Sequence, residues 1–225
     1  MGIDEKTNSI IVNKIEEECT KFKDRSAEFQ KGFTGTAPIP YTILAGTYLV
    51  DCEPKIFFEW KREDEKFIQL STKKKANFPE LKIKEMDNPN VNAESIIVAI
   101  STTRRIKKHQ LKDFGEQDII EIYLDDCKDN NITYIKQLQN YRKVILDELE
   151  ALGRKNYPHL NQINLVASIP SCMSLEIGRM IAQNNNRVKK IVAYHFVNQG
   201  TKLYPFGIAV TESQGQYKKG ELIQN

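Results

Sequence analysis

The chain has 225 residues, of which 28% are charged and 40% apolar, so it can bury the core of one large globular domain or of two small ones. A net charge of +3 is too small by itself to argue for a nucleic acid or an anionic membrane as a partner, and direct binding to duplex DNA is not expected. No apolar run is long enough to span a bilayer, and four cysteines without metal-ligand spacing predict free thiols in the reducing cytoplasm.

Apolar strands alternate with helices along the chain, and this alternation predicts an α/β fold. In the first half, Asn8 or Ser9 is expected to cap the first helix. The elements predicted next are a helix from Tyr41 to Val50, a strand from Ile56 to Trp60 and an antiparallel partner strand from Phe67 to Leu70. Residues 73–93 are polar and rich in lysine, which indicates a surface loop or a joint between two halves.

The second half continues the same alternation. Its predicted strands are Ser95 to Ser101, Ile119 to Leu124, Ile163 to Val166, Ile191 to Tyr194 and Leu203 to Val210. Its predicted helices are a weak one from Lys107 to Phe114, a long one from Ile132 to Leu152 that Gly153 closes, and one from Met173 to Ile181. The polar tail from Glu212 is expected to fray.

Two stretches look like copies of one turn–helix–strand unit. They are Thr36 to Trp60 and Gln162 to Phe196, and each contains an Ala-x-Ile-Pro turn. A glycine follows inside each helix, at Gly46 and Gly178. The repeat predicts a pseudo-symmetric α/β protein whose two matching turns face a ligand at the carboxyl ends of the strands.

Common catalytic signatures are absent from the sequence. It has no GxGxxG dinucleotide fingerprint, no P-loop and no GxSxG nucleophile elbow. Paired carboxylates for acid–base work are hard to place, and Asp125-Asp126 after a strand is interpreted as a turn. A binding protein without catalytic residues, metal or cofactor is the favoured interpretation.

The candidate ligand site consists of turns that follow strands. Both Ala-x-Ile-Pro turns place unpaired backbone N–H groups at a helix N-terminus, which favours anions such as phosphate. Hydroxyl side chains add donors, an arginine suits phosphate, and aromatic rings can stack on bases. The candidate residues are Thr36, Pro38, Ile39, Tyr41 and Thr42 at the first turn, Ser168, Pro170, Ser171 and Met173 at the second, Ser101, Thr102 and Arg104 after a third strand, and the rings of Trp60 and Tyr194.

The motifs around these turns resemble those of SAVED domains, the cyclic-oligonucleotide sensors of bacterial CBASS anti-phage systems. The resemblance is carried by Ile100-Ser101-Thr102-Thr103, by NLVASIPSCMSLEIGRMIAQ with the following IVAYHF, and by GTAPIPYTILAG in the first half. It implies two fused CARF-like Rossmannoid units with largely parallel sheets, at residues 1–93 and 94–225, and a cyclic di- or trinucleotide as ligand.

The resemblance also implies partners. A cognate nucleotidyltransferase (a CD-NTase) would make the ligand during infection, and binding would drive self-association that switches on an effector. No effector motif is visible in the 225 residues. The chain is therefore expected to be either a sensor cut from a longer protein, such as a membrane-anchored one, or a standalone sensor that acts through a partner.

Three other functions remain open at this point. A CARF-like protein can cleave its own cyclic ligand, and Ser101, Thr102, Thr103 and His109 would then be the reactive candidates. An α/β protein of this kind can instead bind a small metabolite without changing its oligomeric state. Direct binding of a duplex nucleic acid needs a basic stripe on the surface, which the net charge does not indicate.

Overall fold

The computed structural model describes residues 3–26, 28–73, 77–183, 189–212 and 217–225. Within these ranges the chain has a mixed α/β fold, as the alternation of strands and helices predicts. The helices are α1 (Glu5–Arg25), α2 (Ile39–Tyr48), α3 (Ile135–Lys155) and α4 (Ser171–Gln183), with a 3-10 helix at Lys108–Phe114. The strands are β1 (Gly32–Phe33), β2 (Ile56–Lys61), β3 (Lys66–Gln69), β4 (Lys82–Lys84), β5 (Ser95–Ser101), β6 (Ile119–Tyr123), β7 (Gln162–Ser168), β8 (Lys190–His195), β9 (Phe206–Ala209) and β10 (Leu222–Gln224).

The strands form a seven-stranded sheet and a three-stranded sheet. The larger sheet has the order β10-β9-β8-β7-β5-β6-β4, and its four central strands β8, β7, β5 and β6 run parallel. Its outer strands β4, β9 and β10 pair antiparallel. In the smaller sheet β2 pairs parallel with β1 and antiparallel with β3, so parallel pairing dominates only at the centre of the larger sheet.

The central strands are mostly apolar because both faces of the larger sheet are covered. In β5, Ile96, Val98 and Ile100 point into the main core beside the helices. Ile97 and Ala99 alternate with them and point into a second, smaller cluster on the other face. Strand β5 is therefore covered on both faces. At its carboxyl end it pairs with β6 on one side and with β7 on the other.

Gly46 and Gly178 allow α2 and α4 to touch backbone to backbone. A Cβ on Gly178 would overlap the carbonyl oxygen of Ile43, and one on Gly46 would overlap that of Leu175. The same Cβ on Gly46 would lie 3.0 Å from the Cα of Gly178. The glycines that occupy matching places in the internal repeat thus meet at the crossing of the two matching helices.

A buried charge cluster holds the same two helices beside this crossing. Arg179 of α4 donates from Nε to the Leu49 carbonyl at 3.1 Å and from Nη2 to the Val50 carbonyl at 3.3 Å. These carbonyls follow the end of α2, where a cation is favoured. Glu176 accepts from Arg179 at 2.5 Å and also from Arg142 of α3, so its buried carboxylate has two cationic partners.

Several helix ends differ from the predictions, among them the start of α1 and the end of α3. Helix α1 begins earlier than expected, because Asp4 is the N-cap and accepts the Thr7 N–H at 2.7 Å. Asn8 is instead buried, donating to the Gly220 carbonyl at 2.9 Å and accepting from the Tyr41 hydroxyl at 3.0 Å. Gly153 does not end α3, which continues to Lys155.

Two stretches expected to lack regular structure contribute edge strands. β4 lies within the predicted loop 73–93, of which 74–76 fall outside the described residues, and it pairs with β6. β10 lies in the tail that was expected to fray, of which 213–216 are likewise not described, and it pairs with β9. The boundary between residues 93 and 94 stays a prediction. Among the described helices, none combines the length and the apolar character needed to cross a membrane.

Candidate functional site

The carboxyl ends of β5 and β7 meet at one edge of the larger sheet. Ser101 at the end of β5 is in register with Ser168 at the end of β7. The backbone N–H groups of Thr102 and Thr103 both donate to the Ser168 carbonyl, at 2.9 and 3.0 Å. Two of the turns that the sequence indicates separately therefore form one structure, at the edge where parallel sheets bind ligands.

Most hydroxyl groups at this edge have partners within the chain. The hydroxyls of Thr103 and Ser168 lie 2.8 Å apart, and Ser101 Oγ accepts the Ile106 N–H at 3.0 Å. The second contact closes the loop after β5. Thr102 differs, because its hydroxyl is buried and has no hydrogen-bond partner in the described part of the chain.

The segment that begins with the predicted turn Asp125-Asp126 crosses this edge. We call residues 125–134, between β6 and α3, the joining segment. Asn131 donates from Nδ2 to the Thr102 carbonyl, and the Lys128 N–H donates to the same oxygen at 3.2 Å. The Asn131 Oδ1 is buried without a partner among the described residues. Asn131 was therefore missed, and the only sequence signal for it is the Asn-Asn pair after a buried strand.

The joining segment also contacts the smaller sheet. Asn130, with a positive φ of 54°, donates from Nδ2 to the Trp60 carbonyl of β2 at 3.2 Å. The Ser71 N–H donates to the Thr133 carbonyl at 2.8 Å, and the Ile135 N–H donates to the Ser71 carbonyl at 3.1 Å. The segment thus joins the carboxyl end of β5 to the hairpin formed by β2 and β3.

The N-terminus of α4 already holds an anion from the chain itself. Glu59 of β2 is only 8% exposed, and its carboxylate accepts the Cys172 N–H at 2.5 Å. Burial raises the pKa of Glu59, while hydrogen bonds from the Cys172 and Ser171 backbone act to lower it. The position that the sequence assigns to a phosphate is therefore filled by a carboxylate. Of the residues predicted at this turn, Ser171 is half-buried, and Pro170 and Met173 are buried.

The turn before α2 offers fewer free groups than predicted. Tyr41 is buried and bonded to Asn8, and Thr42 donates back to the Pro38 carbonyl at 3.2 Å. Thr36 and Pro38 are exposed, whereas Ile39 packs partly against the main core. Pro38 stands at the N-cap of α2 without a side-chain cap.

The two predicted stacking rings lie in different environments. Trp60 is 37% exposed and meets Phe67 edge-on, with ring centroids 5.1 Å apart. Tyr194 is 5% exposed and packs against Phe114 at 4.7 Å in the smaller core cluster, where burial raises its pKa to about 12. Trp60 can receive a base, whereas in this structure the Tyr194 ring is part of the core.

Arg104 is an exposed cation of the loop after β5. Its side chain is exposed and makes no hydrogen bond or ion pair with another described residue. The adjacent Arg105 already has partners, because it forms an ion pair with Glu121 at 2.5 Å and its guanidinium lies 3.2 Å from the centroid of the Tyr123 ring. His109 is exposed on the 3-10 helix. Across the described ranges, no three His, Cys, Asp or Glu side chains converge as a metal site.

The comparison with known families decides the identity of this fold. The model of SAVED, the SMODS-associated and fused to various effectors sensor domain, matches residues 15–210. The chain belongs to the SAVED family. The resemblance seen in the sequence motifs is thereby confirmed, and the SAVED model describes a sensor domain. The sequence has no significant match among curated proteins.

Solved structures share the SAVED fold at low sequence identity. The Acinetobacter baumannii Cap4 SAVED/CARF-domain containing receptor with 2'3'3'-cAAA is 15% identical, with a TM-score of 0.63, and covers 93% of this chain. The same receptor with 3'3'3'-cAAA is 13% identical, with a TM-score of 0.64. The structure of this receptor without a named ligand is also 13% identical, with a TM-score of 0.61. The SAVED chain spans only 43–45% of the length of these receptors.

Proposed function

We propose that this SAVED chain is a sensor that binds a cyclic di- or trinucleotide in CBASS defence and does not cleave it. The observation that carries the proposal is the family match over residues 15–210. Receptors of the same fold that were solved with cyclic trinucleotides support the choice of ligand class. The ligand would be made by a cognate CD-NTase during infection.

The ligand is proposed to lie at the carboxyl edge of β5 and β7. Arg104 is exposed there and can pair with a phosphate, since a guanidinium makes two parallel hydrogen bonds to its oxygens. Trp60 presents a ring for stacking, and the joining segment connects its strand to the loop after β5. The turn before α2, with Thr36 and Pro38 exposed, is the proposed second contact with the phosphates.

Signalling is proposed to follow from a difference in affinity between two conformations. A ligand that binds one conformation better shifts the population toward it, and a self-associating conformation would then accumulate. Such an assembly would activate an effector that is either fused in a longer protein or supplied by a partner. The chain itself needs no catalytic residue for this role.

The first prediction concerns thermal stability against a panel of cyclic di- and trinucleotides. A ligand at about 100 times its dissociation constant should stabilise the folded state by about 2.7 kcal/mol. One specific ligand should raise the melting temperature and increase the mass seen by light scattering. Chromatography of the ligand after a long incubation should recover it intact. A panel without a hit on well-folded protein would contradict the proposal, and cleaved ligand would favour the ring-nuclease alternative.

A further inference from the structure

Two buried polar atoms at the carboxyl end of β5 lack hydrogen-bond partners within the described ranges. They are the hydroxyl Oγ1 of Thr102, a residue with no exposed surface, and the amide oxygen Oδ1 of Asn131. Buried polar atoms are nearly always paired, so each exception calls for a reason such as an absent ligand. The two residues are in direct contact, because Asn131 Nδ2 donates to the Thr102 carbonyl.

The neighbouring contacts determine which atoms are left over. A carbonyl oxygen only accepts, so the Asn131 nitrogen must face Thr102 and its Oδ1 must face away. The Lys128 N–H takes the second position on the same carbonyl at 3.2 Å, and the Thr102 N–H is committed to Ser168 at 2.9 Å. What remains is one acceptor on Asn131 and one hydroxyl on Thr102.

An acceptor on one residue and a hydroxyl on the residue that it contacts together complement one kind of nucleobase edge. Adenine presents an exocyclic amine, which donates, beside a ring nitrogen, which accepts. The amine matches Asn131 Oδ1, and the ring nitrogen matches the Thr102 hydroxyl acting as donor. A base with a carbonyl in place of the amine, such as hypoxanthine, would set two acceptors against each other.

We propose that Thr102 and Asn131 form a base-reading pair that selects an amino-substituted base, such as adenine, in the bound nucleotide. This inference rests on the proposed function and adds a specificity to it. Both atoms are buried in this structure, so a base reaches them only if the joining segment shifts. The segment carries Asn131 and also holds the Trp60 carbonyl through Asn130, so the same shift would reach β2.

The test uses isothermal titration calorimetry with 3'3'3'-cAAA and with the same ring carrying hypoxanthine in place of adenine. The wild-type chain should bind the adenine ring at least about tenfold more tightly, the equivalent of one or two lost hydrogen bonds. Thr102→Val should lose about tenfold in affinity for the adenine ring, because the isosteric change removes only the hydroxyl. Thr102→Ser keeps a hydroxyl and should bind within about threefold of the wild type.

Ser26→Ala is the matched control. Ser26 Oγ is also buried without a partner among the described residues, but it lies at the end of α1. Its removal should leave both affinities unchanged. Equal binding of the two rings by the wild type, or a Thr102→Val affinity within twofold of the wild type, would overturn the base-reading pair alone. A wild-type chain that binds no cyclic nucleotide of any base would overturn the proposed function and this inference together.

Discussion

Glu59 links the two sheets through a single buried carboxylate. It extends from β2 in the smaller sheet to the Cys172 N–H at the start of α4, which follows β7 of the larger one. The helix N-terminus favours the anion, but burial opposes the charge and is the larger effect, so the pKa of Glu59 is raised. The carboxylate therefore accepts hydrogen bonds from the backbone, but burying its charge lowers the free energy of unfolding by an amount that depends on pH.

Glu59→Gln should separate these two effects. A raised pKa in the folded state means that the carboxyl contributes most to stability at low pH and loses that contribution as pH rises from about 4.5 through its folded pKa. Gln keeps an acceptor for the Cys172 N–H without the charge. The stability of Glu59→Gln relative to the wild type should therefore increase with pH, as measured by chemical denaturation at several pH values between 4 and 8.

Glu59→Ala is the companion variant, since it leaves the buried Cys172 N–H without an acceptor. Such a loss costs about 1–3 kcal/mol of unfolding free energy. A Glu59→Gln variant that is destabilised as much as Glu59→Ala at every pH would show that the charge, rather than the acceptor, holds the helix.

Sequence patterns identify the hydroxyls at the candidate site but not their partners. Ser101, Thr102 and Ser168 stand at strand ends, which the sequence reveals through buried apolar runs. Which hydroxyl stays unpaired depends on Asn131, twenty-nine residues further along the chain. The same limit applies to Glu59, because no local pattern indicates that a strand residue of one sheet will bond a helix of the other.

The pair of helices α2 and α4 depends on contact between two glycines. Gly46 and Gly178 each lie inside a helix of the repeat, where glycine is unfavourable. Their backbones touch in the structure, and any side chain at either position would push the helices apart. The close contact between the two backbones thus explains why each helix of the repeat carries a glycine.

Gly178→Ala should destabilise the chain even though alanine favours helices. The new methyl would overlap the Ile43 carbonyl oxygen, and overpacking of this kind costs about 1–3 kcal/mol or more. Gly153→Ala in α3 is the matched control, because its Cβ meets only the Lys189 Cε at 3.5 Å. That change should stabilise by about 0.5–1 kcal/mol. Denaturant midpoints measure both, and a Gly178→Ala variant as stable as the wild type would contradict the close crossing.

Elements that bury a continuous apolar run were predictable, and short edge strands were not. β5 and β7 follow from runs of branched apolar residues, and α4 follows from apolar residues at helical spacing. β4 and β10 have three residues each, β4 exposed and β10 largely half-buried, so neither has a buried apolar run, and their pairing with β6 and β9 makes them strands. The start of α1 was mistaken because Asp4, rather than Asn8, accepts the free backbone N–H.

At the level of the whole molecule, the joining segment is a second connection, besides Glu59, through which a ligand at one sheet would affect the other. Its Asn131 bonds the end of β5 and its Asn130 bonds β2, while Thr133 accepts from Ser71 after β3. A shift at the candidate site would therefore move the hairpin that exposes Trp60 and Phe67. Such a coupling needs two populated conformations with different ligand affinity.

The central claim is that the chain senses a cyclic nucleotide, and the most direct test compares a ring with its open form. Calorimetric titration with 3'3'3'-cAAA and with the linear adenine trinucleotide should show tighter binding of the ring by about tenfold or more, because the ring is preorganised. Light scattering on the same samples should show growth in mass with the ring only. Equal affinity for the two forms, or no binding of any cyclic nucleotide, would contradict the claim.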